Sequence, residues 1–304
     1  MYIKIATRKS PLALKQALLV KEALLKHYPD WNIELYPLET SGDKMLSGPL
    51  MDRGGKGLFV KELEKALLEK KADLAVHSMK DVPALQPEGL EISVIAPRED
   101  PRDAFISIKY QKLEDLPHGA KVGTASLRRQ CQLYAMRSDL DIQILRGNVN
   151  TRLKKLIDGE FDAIILAAAG MKRLGFEERI QYYFSTTQMI PAPGQGALGL
   201  EYRSDNLILK EKLNVLMNPI TSACLIAERT LARQLDGNCR APVAAFCEYN
   251  ENRLYLHGLV GSPKGDIILS CQEKGELSEA QELGMRAAKN LEEQGAAAVL
   301  KISF

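Results

Sequence analysis

The segments EKKADLAVHS at residues 69–78 and GEFDAIILAA at residues 159–168 share one pattern. Each begins at the end of a predicted helix and continues through an aspartate into a short apolar strand and a turn of small residues. Strand–turn–helix units of this kind recur through the first half of the chain, which is the alternation typical of α/β sheets. The sequence therefore predicts an α/β fold with two similar lobes and mostly parallel sheets.

The first predicted lobe opens with a strand at residues 3–6. Ser10 is a typical helix N-cap and Pro11 fits the first helical position, so a helix follows this strand. A glycine-rich segment, GGKG at residues 54–57, precedes a second predicted helix over residues 58–70. We therefore expect the polar residues that follow these strands to lie at helix amino termini.

The second predicted lobe repeats the unit with more arginines. A strand at residues 121–123 leads into a helix that carries Arg128 and Arg129. A strand at residues 142–145 leads into Arg146, and a further strand covers residues 161–166. Because ligands of open α/β sheets bind beyond the carboxyl ends of the strands, we expect these arginines at a binding edge.

In the last third of the chain the predicted secondary-structure pattern changes from α/β to α+β. The segment PAPGQG at residues 191–196 is rich in proline and glycine and predicts a hinge or a strand crossing between domains. The pattern that follows predicts a small α+β domain with a three-stranded antiparallel sheet. Its elements are a helix over 222–235, strands over 243–248, 254–260 and 267–272, and a helix over 280–294.

The length of 304 residues suggests two or three domains at roughly 100 to 200 residues each. We expect three. Domain 1 is a discontinuous lobe of residues 1–98 and 197–217, and domain 2 is a lobe of residues 99–196 that includes the hinge strands. Domain 3, residues 218–304, is the small α+β domain.

Composition excludes several classes of protein. The net charge of +2 is too small for a nucleic-acid-binding surface. The longest apolar run, residues 163–169, is far shorter than the roughly 20 residues of a membrane span, and the amino terminus lacks the apolar core of a signal peptide, so we expect a cytoplasmic protein. The five cysteines form no Cys-x-x-Cys pair and the four histidines lack metal-site spacing, so we expect no metal, although carboxylates could still bind one.

Positive charge concentrates in residues 121–175, which contain 10 Lys and Arg against 5 Asp and Glu. Guanidinium groups bind carboxylates and phosphates through paired hydrogen bonds. As a set, the arginines that follow predicted strands indicate a site for a small polyanion, whereas each one alone fits a solvated helix face equally well. These arginines are Arg8, Arg128, Arg129, Arg146, Arg152 and Arg173.

Three further side chains carry chemistry. Asp81, beside Lys80 in a turn at a strand end, is placed for electrostatic or acid–base work on a cationic intermediate, although a lone turn aspartate more commonly bonds its own backbone. Lys56 lies among glycines, but the spacing of a P-loop is absent. Cys239 lies in a turn beside Arg240, which favours the thiolate, while the other four cysteines fall in predicted helices and strands and are expected to be packing residues.

Taken together, these segments resemble one family, the porphobilinogen deaminases (hydroxymethylbilane synthases) of tetrapyrrole biosynthesis. The resemblance runs from residue 3 to about residue 245. It is carried by IATRKSPLA (5–13), GGKGLF (54–59), AVHSMKDVP (75–83), GTASLRRQ (123–130), LRGN (145–148) with Thr151 and Arg152, and GQGA (194–197).

The resemblance implies a monomeric three-domain transferase whose first two domains are similar to the lobes of periplasmic binding proteins, with the active-site cleft between them. It implies a dipyrromethane cofactor attached to Cys239 through a thioether. Four molecules of the small-molecule substrate porphobilinogen would be joined head to tail on this primer with loss of ammonia, and hydrolysis would release hydroxymethylbilane. It implies neither a nucleic-acid partner nor a membrane partner.

Matching the motifs residue by residue assigns roles that the resemblance implies. Asp81 would be the catalytic carboxylate. The cofactor would be bound by Cys239, Lys80, Asp81, Thr124, Ser126, Arg128, Arg129, Arg146 and Gly170. The substrate would be bound by Arg8, Ser10, Gln16, Arg146, Arg152 and Arg173, and Lys56 and Phe59 would lie on a mobile segment over the cleft.

The sequence departs from the family pattern at three positions. Asn238 stands immediately before Cys239, where the family usually has a second glycine, and Arg240 follows it. Pro193 is a less usual neighbour of the Gly-Gln-Gly run. Asparagine tolerates positive φ better than other non-glycine residues, so we expect the turn to be kept. None of the three changes removes a reacting group.

Two other classes of protein stay open at this point. A non-catalytic bilobed binding protein for a small polyanion would explain the two lobes but leaves domain 3 and Cys239 without a role. A cysteine-nucleophile acyltransferase would need a histidine base, and His257 lies in a predicted strand. Neither alternative carries a covalent pyrrole on Cys239.

Overall fold

The computed structural model describes residues 1–44, 57, 59–83, 85–95, 97–235 and 241–302. The described strands are β1 (Tyr2–Arg8), β2 (Asn32–Leu38), β3 (Leu74–Ser78), β4 (Leu90–Ile95), β5 (Asp103–Ile106), β6 (Lys121–Gly123), β7 (Asp141–Gln143), β8 (Ala163–Ala167), β9 (Tyr182–Tyr183), β10 (Leu198–Arg203), β11 (Val243–Asn250), β12 (Arg253–Gly261) and β13 (Ile268–Gly275). The described α-helices are α1 (Pro11–His27), α2 (Ser41–Lys44), α3 (Lys61–Leu68), α4 (Leu127–Met136), α5 (Val149–Ile157), α6 (Ala168–Arg173), α7 (Leu207–Leu213), α8 (Pro219–Gln234), α9 (Ala280–Glu293) and α10 (Ala296–Ile302).

The chain divides into two compact units. Unit 1 comprises Met1–Arg98 and Ala197–Ser222, and unit 2 comprises Glu99–Gly196 and Ala223–Phe304. Each unit contains a five-stranded sheet, and unit 2 also contains a three-stranded sheet. The predicted fold class, α/β with a small α+β part, is confirmed.

The sheet of unit 1 has the strand order β2-β1-β3-β10-β4. Strand β1 pairs in parallel with β2 and β3, whereas β10 pairs antiparallel with β3 and β4. The sheet is therefore mixed where the sequence predicted a mostly parallel one. The reason is β10, which comes from the returning chain after residue 196 and lies between β3 and β4, antiparallel to both.

The sheet of unit 2 repeats this arrangement with the order β7-β6-β8-β5-β9. Strand β6 is parallel to β7 and β8, and β5 is antiparallel to β8 and β9, so this sheet is mixed as well. Strand for strand, the order and directions match those of unit 1. The prediction of two similar lobes is confirmed.

Asp73 and Asp162 occupy matching positions in the similar segments 69–78 and 159–168, and they have the same role in both units. The carboxylate of Asp73 accepts a hydrogen bond from the Lys4 amide at 2.9 Å, and that of Asp162 accepts one from the Lys121 amide at 2.8 Å. In return, each aspartate amide donates to the carbonyl of the same lysine at 2.9 Å. Each aspartate thus ties the start of the central strand to the neighbouring parallel strand.

Helices cover both faces of the unit 1 sheet. On one face, Val20 of α1 and Leu209 of α7 belong to the same core cluster as Ile5 of β1. On the other face, Leu63 of α3 shares a second cluster with Ala75 of β3. Helix α1 starts as predicted, with Pro11 at its first position and Ser10 as N-cap, whose Oγ accepts from the Ala13 amide at 3.4 Å.

Two predicted elements are shorter in the structure. Strand β7 ends at Gln143 instead of residue 145, because its parallel partner β6 ends opposite it at Gly123. The helix predicted over residues 58–70 is α3, Lys61–Leu68, and Lys70 already has a positive φ of 57° that ends the helix. The turn expected after residue 166 is the short helix α6.

The three-stranded sheet β11-β12-β13 is antiparallel throughout, as predicted. One face packs against α8 and α9 through Leu231, Leu256 and Leu283. The other face packs against Ile190 and against Cys131 of α4.

Four cysteines of the described chain are buried, as the sequence predicted for packing residues: Cys131, Cys224, Cys247 and Cys271. Burial raises the pKa of the Cys131 thiol to about 12 and that of the Cys271 thiol to about 11. Among the described helices, none combines the length and the apolar character needed to cross a bilayer.

The predicted hinge segment ends in a glycine that other residues cannot replace. The Gly196 carbonyl accepts from the Glu99 amide at 3.1 Å, and the φ of Gly196 is +89°. A Cβ atom built on Gly196 would collide with the carbonyl oxygen of Glu99, which is backbone and cannot move aside. Both the left-handed φ and the lack of space therefore require glycine here.

We predict that Gly196→Ala lowers the free energy of unfolding clearly more than Gly159→Ala does. Gly159 has a similar φ of +79° but open space around its built Cβ, so it measures the conformational cost alone, about 1–2 kcal/mol. The additional loss in Gly196→Ala comes from the collision with Glu99. Urea unfolding of both variants measures the difference, and equal losses would show that the backbone around residue 196 relaxes freely.

Candidate functional site

The candidate residues of unit 1 follow the carboxyl ends of β1 and β3, which run in parallel and end at the same edge of the sheet. Arg8 is the last residue of β1, and its guanidinium lies over the Phe59 ring, 4.2 Å from the ring centroid. A Cβ on Gly42 would overlap the same ring, so Phe59 is packed between α2 and Arg8. The structure thus brings Arg8 and Phe59 together.

Lys80 and Asp81 lie in the 3₁₀ turn Met79–Asp81 that directly follows β3, and both side chains are half-buried. The preceding residue, Ser78, is fixed by Gln16 of α1, whose Nε2 donates to the Ser78 Oγ at 2.8 Å. Gln16 itself is buried. Gln16 therefore stabilises the residue that precedes the turn. Ser10, at the start of the same helix, is the N-cap and accepts a hydrogen bond from the Ala13 amide.

In unit 2, Arg128 and Arg129 both bind one buried carboxylate, that of Asp103. Arg128 Nη2 donates to Oδ2 at 2.7 Å, and Arg129 Nε and Nη2 approach Oδ1 at 2.9 and 2.7 Å. Each guanidinium also donates to a carbonyl: Arg128 to that of Ile190 at 2.6 Å and Arg129 to that of Ile165 at 2.8 Å. Both arginines are thus held in fixed directions.

The Asp103 cluster carries excess positive charge. Burial alone would raise the pKa of Asp103, but the charges of Arg128 and Arg129 outweigh it and lower that pKa to about 2. Burial lowers the pKa of Arg129, and Asp103 opposes this effect. One carboxylate thus balances two guanidinium groups, and Arg128 Nε is a buried donor with no partner in the described part of the chain. The cluster suits one further anionic oxygen.

The remaining predicted residues of unit 2 lie beyond β6, β7 and β8. The Oγ1 of Thr124 accepts from the Ser126 amide at 3.2 Å, one turn before the two arginines. Arg152 of α5 donates from Nε to the Gly147 carbonyl at 2.7 Å, beside the half-buried Arg146.

Helix α6, at the end of β8, carries the last two predicted residues. Gly170 is buried in this helix. Arg173 at its end donates from Nη2 to the Gly196 carbonyl at 2.7 Å, and burial lowers the pKa of Arg173. Arg173 therefore contacts the segment predicted as a hinge.

Two predicted site residues, Cys239 and Lys56, lie outside the described residues. The described chain ends at Leu235 before Cys239 and resumes at Ala241. Within the described ranges, no group of three or more His, Cys, Asp or Glu side chains could hold a metal ion.

Sequence reasoning missed two buried carboxylates of unit 2. Asp103 also accepts from Nε2 of Gln195 at 3.0 Å, which ties the arginine pair to the Gly-Gln-Gly segment. Glu228 of α8 accepts from the Gly194 amide at 2.7 Å and from the Cys247 amide at 2.8 Å. The signal was present in both cases: Asp103 heads an apolar strand, and Glu228 falls on the apolar face of a helix.

Each of the two α/β units directs basic side chains beyond the carboxyl ends of its strands, the edge at which α/β proteins commonly bind small anions. Solved structures with a similar fold include a putative methionine-binding lipoprotein from Bacillus subtilis, with 17% identity, a TM-score of 0.45 and coverage of 71% of this chain and 90% of that one. The periplasmic aliphatic sulphonate binding protein SsuA from Escherichia coli matches with 14% identity, a TM-score of 0.42 and coverage of 77% and 70%.

Family models identify the family. Residues 3–211 match the model described as porphobilinogen deaminase, dipyromethane cofactor binding domain, and residues 222–293 match porphobilinogen deaminase, C-terminal domain. The chain belongs to the porphobilinogen deaminase family. It acts in tetrapyrrole biosynthesis, where it condenses porphobilinogen with loss of ammonia on a dipyrromethane cofactor.

We predict that Asp103→Asn lowers the free energy of unfolding at neutral pH by about 3–5 kcal/mol, because it leaves two buried guanidinium groups without their counter-charge. The control is Asp158→Asn, whose exposed i,i+4 pair with Lys154 contributes less than about 1 kcal/mol. Urea unfolding at pH 7 measures both.

The comparison of wild type with Asp103→Asn also tests the pKa of Asp103. Because the folded-state value, about 2, lies below the ordinary value of 3.8, the stabilisation is complete above about pH 4 and is lost as the pH falls through 2. The difference between wild type and Asp103→Asn should therefore shrink over that interval. A difference that stays constant from pH 7 to pH 2 would contradict the depressed pKa.

Proposed function

We propose that the chain is a hydroxymethylbilane synthase that uses Asp81 as its catalytic carboxylate and Cys239 as the attachment point of its cofactor. The observation that carries this proposal is the Asp103 cluster, in which two fixed arginines present a net positive charge. The motif AVHSMKDVP places Asp81 directly after a strand end in the other unit.

The cluster fits a cofactor that bears carboxylates. A dipyrromethane carries acetate and propionate groups, and an ionised carboxylate only accepts hydrogen bonds. Arg128 Nε is a buried donor that has no acceptor among the described residues, and leaving it so costs about 1–3 kcal/mol. A ligand carboxylate would satisfy this donor and balance the excess charge.

Several side chains would share the task of binding carboxylates. In unit 2 we assign Thr124, Ser126, Arg128, Arg129, Arg146 and Gly170 to the cofactor and Arg146, Arg152 and Arg173 to the substrate. In unit 1 we assign Lys80 to the cofactor and Arg8, Ser10 and Gln16 to the substrate, with Lys56 and Phe59 on the segment that covers the site. Gln16 would act through Ser78, to which it donates.

When bound, the dipyrromethane supplies the free pyrrole carbon to which the first porphobilinogen is joined. Asp81 would stabilise the positive charge that develops on porphobilinogen as ammonia leaves, and would take up the proton that the pyrrole ring releases. The basic side chains would orient substrate carboxylates so that the reacting carbons meet, which lowers the entropic part of the barrier.

We further propose the division into three domains stated above, with Cys239 on a loop of domain 3 between α8 and β11. The enzyme would be a cytoplasmic monomer. The separate core of the three-stranded sheet, built from residues of α8 to α10, supports domain 3 as a unit of its own.

The first prediction concerns mass and thiols. Denatured wild type should exceed its sequence mass by two linked pyrrole units, and Cys239→Ser should match its own sequence mass. In denaturant, a thiol reagent should label only the four cysteines that are buried in the fold. If wild type keeps its bare sequence mass even after incubation with porphobilinogen, a non-catalytic binding protein becomes the better interpretation.

The second prediction concerns a basic side chain of the site. Arg146→Ala should reduce turnover roughly tenfold to a hundredfold, as expected for the loss of a charge-assisted hydrogen bond to a carboxylate. The matched control is Arg179→Ala, whose side chain is 59% exposed and pairs with Glu178 at 3.8 Å. Intact-mass analysis of enzyme–substrate complexes would show the addition at which Arg146→Ala stalls. Wild-type turnover in Arg146→Ala would remove this residue from the site.

A further inference from the structure

Unit 1 contains a buried histidine–glutamate pair outside the residues assigned above. Nε2 of His77 on β3 lies 2.9 Å from Oε2 of Glu201 on β10. The two residues are only 5% and 1% exposed. Removing two charged or polar groups from water is costly, and well-packed apolar residues at such positions commonly give equal or higher stability. Stability alone therefore does not explain this pair.

The pair lies at the end of β3 that leads into the turn Met79–Asp81. Strand β1 pairs with β3 only at Leu74 and Ala75, so it does not support this end. Strand β10 supports this end of β3, because it pairs with His77 and Ser78. In addition, the Ala197 carbonyl accepts from the Met79 amide at 3.0 Å. The His77–Glu201 contact joins the same two strands through their side chains.

Packing next to the pair holds the turn against β10. Gly199 is the register partner of His77, and a Cβ atom on it would overlap the sulfur of Met79. Met79 is therefore seated directly on the backbone of β10, and it is buried. The position of the turn thus depends on how β3 is fixed relative to β10.

The Glu201 carboxylate has one fixed polar contact among the described residues. Its Oε2 faces His77, and its Oε1 is buried without a hydrogen-bond partner. Burial, and then the charge of Glu201, raises the pKa of Glu64 on the covering helix α3. Burial of the Glu201 carboxylate costs desolvation free energy, and its one described polar contact is with His77. We therefore infer that the contact serves to fix the position of His77.

We propose that His77 and Glu201 are positioning residues that fix the Met79–Asp81 turn and thereby the Asp81 carboxylate. The inference rests on the proposed catalytic role of Asp81. The contact between Nε2 of His77 and Oε2 of Glu201 holds the imidazole ring in one orientation between β3 and β10. Met79, two residues after His77, is buried against Gly199 of β10, so the turn that begins at Met79 is fixed relative to the same strand.

The test replaces the pair without leaving a buried charge. The double variant His77→Phe/Glu201→Leu is expected to fold with a melting temperature near that of wild type and to keep its covalent cofactor by intact mass. Its kcat for porphobilinogen should fall by roughly tenfold to a hundredfold, the effect expected of a displacement of about 1 Å, with little change in KM. The single variant Glu201→Gln keeps an acceptor for His77 and should retain most of the wild-type kcat.

The control breaks a different buried contact of the same sheet. Ser93 Oγ and Tyr202 Oη lie 2.9 Å apart and join β4 to β10 through side chains that do not belong to β3. Ser93→Ala should leave kcat and KM unchanged. If the double variant turns over like wild type, or if its loss of kcat is matched by Ser93→Ala, the positioning role is wrong. The same holds if Glu201→Gln loses as much rate as the double variant.

Asp81→Asn separates this inference from the proposed function. An inactive Asp81→Asn beside a fully active double variant would overturn only the positioning role. An active Asp81→Asn would remove Asp81 from catalysis, and with it the reason to position the turn.

Discussion

The carboxylate of Asp103 is the contact on which the arginine pair and the Gly-Gln-Gly segment of unit 2 depend. It is fully buried, and it joins three parts of the chain that are distant in sequence: its own strand β5, the arginines at the start of α4, and Gln195 in the segment before β10. A buried charge is tolerated only when it is paired and hydrogen-bonded. The two arginines therefore cannot leave Asp103 without a large cost, and their guanidinium groups are held in fixed directions.

A second buried carboxylate extends this network to the three-stranded sheet. Glu228 on α8 accepts amides from Gly194 and from Cys247 on β11, so the Gly-Gln-Gly segment is bonded on both sides within unit 2. Helix α8 ends at Gln234, and Cys239, the attachment residue that we propose, follows it in the sequence outside the described residues.

Much of the fold could be predicted because apolar periodicity is a local signal. The strands that precede the arginine-bearing helices and the N-cap at Ser10 were found in this way, and so was the repeat of the two units. Strand β10 was missed, although it lies inside its sheet between β3 and β4 and makes that sheet mixed. Its direction depends on where the chain returns after residue 196, which no local pattern encodes.

The sequence by itself determined the α/β class, the repeated unit, the placement of basic residues after strands, and the family motifs. These follow from short-range periodicity and from residue types at fixed spacing. Only the tertiary structure decided which charges meet. Asp103 on β5 contacts Arg128 on α4, which is 25 residues away in the sequence. His77 on β3 contacts Glu201 on β10, which is 124 residues away, because these two strands pair. Contacts between residues so distant in sequence depend on the register of the whole sheet, which no single segment specifies.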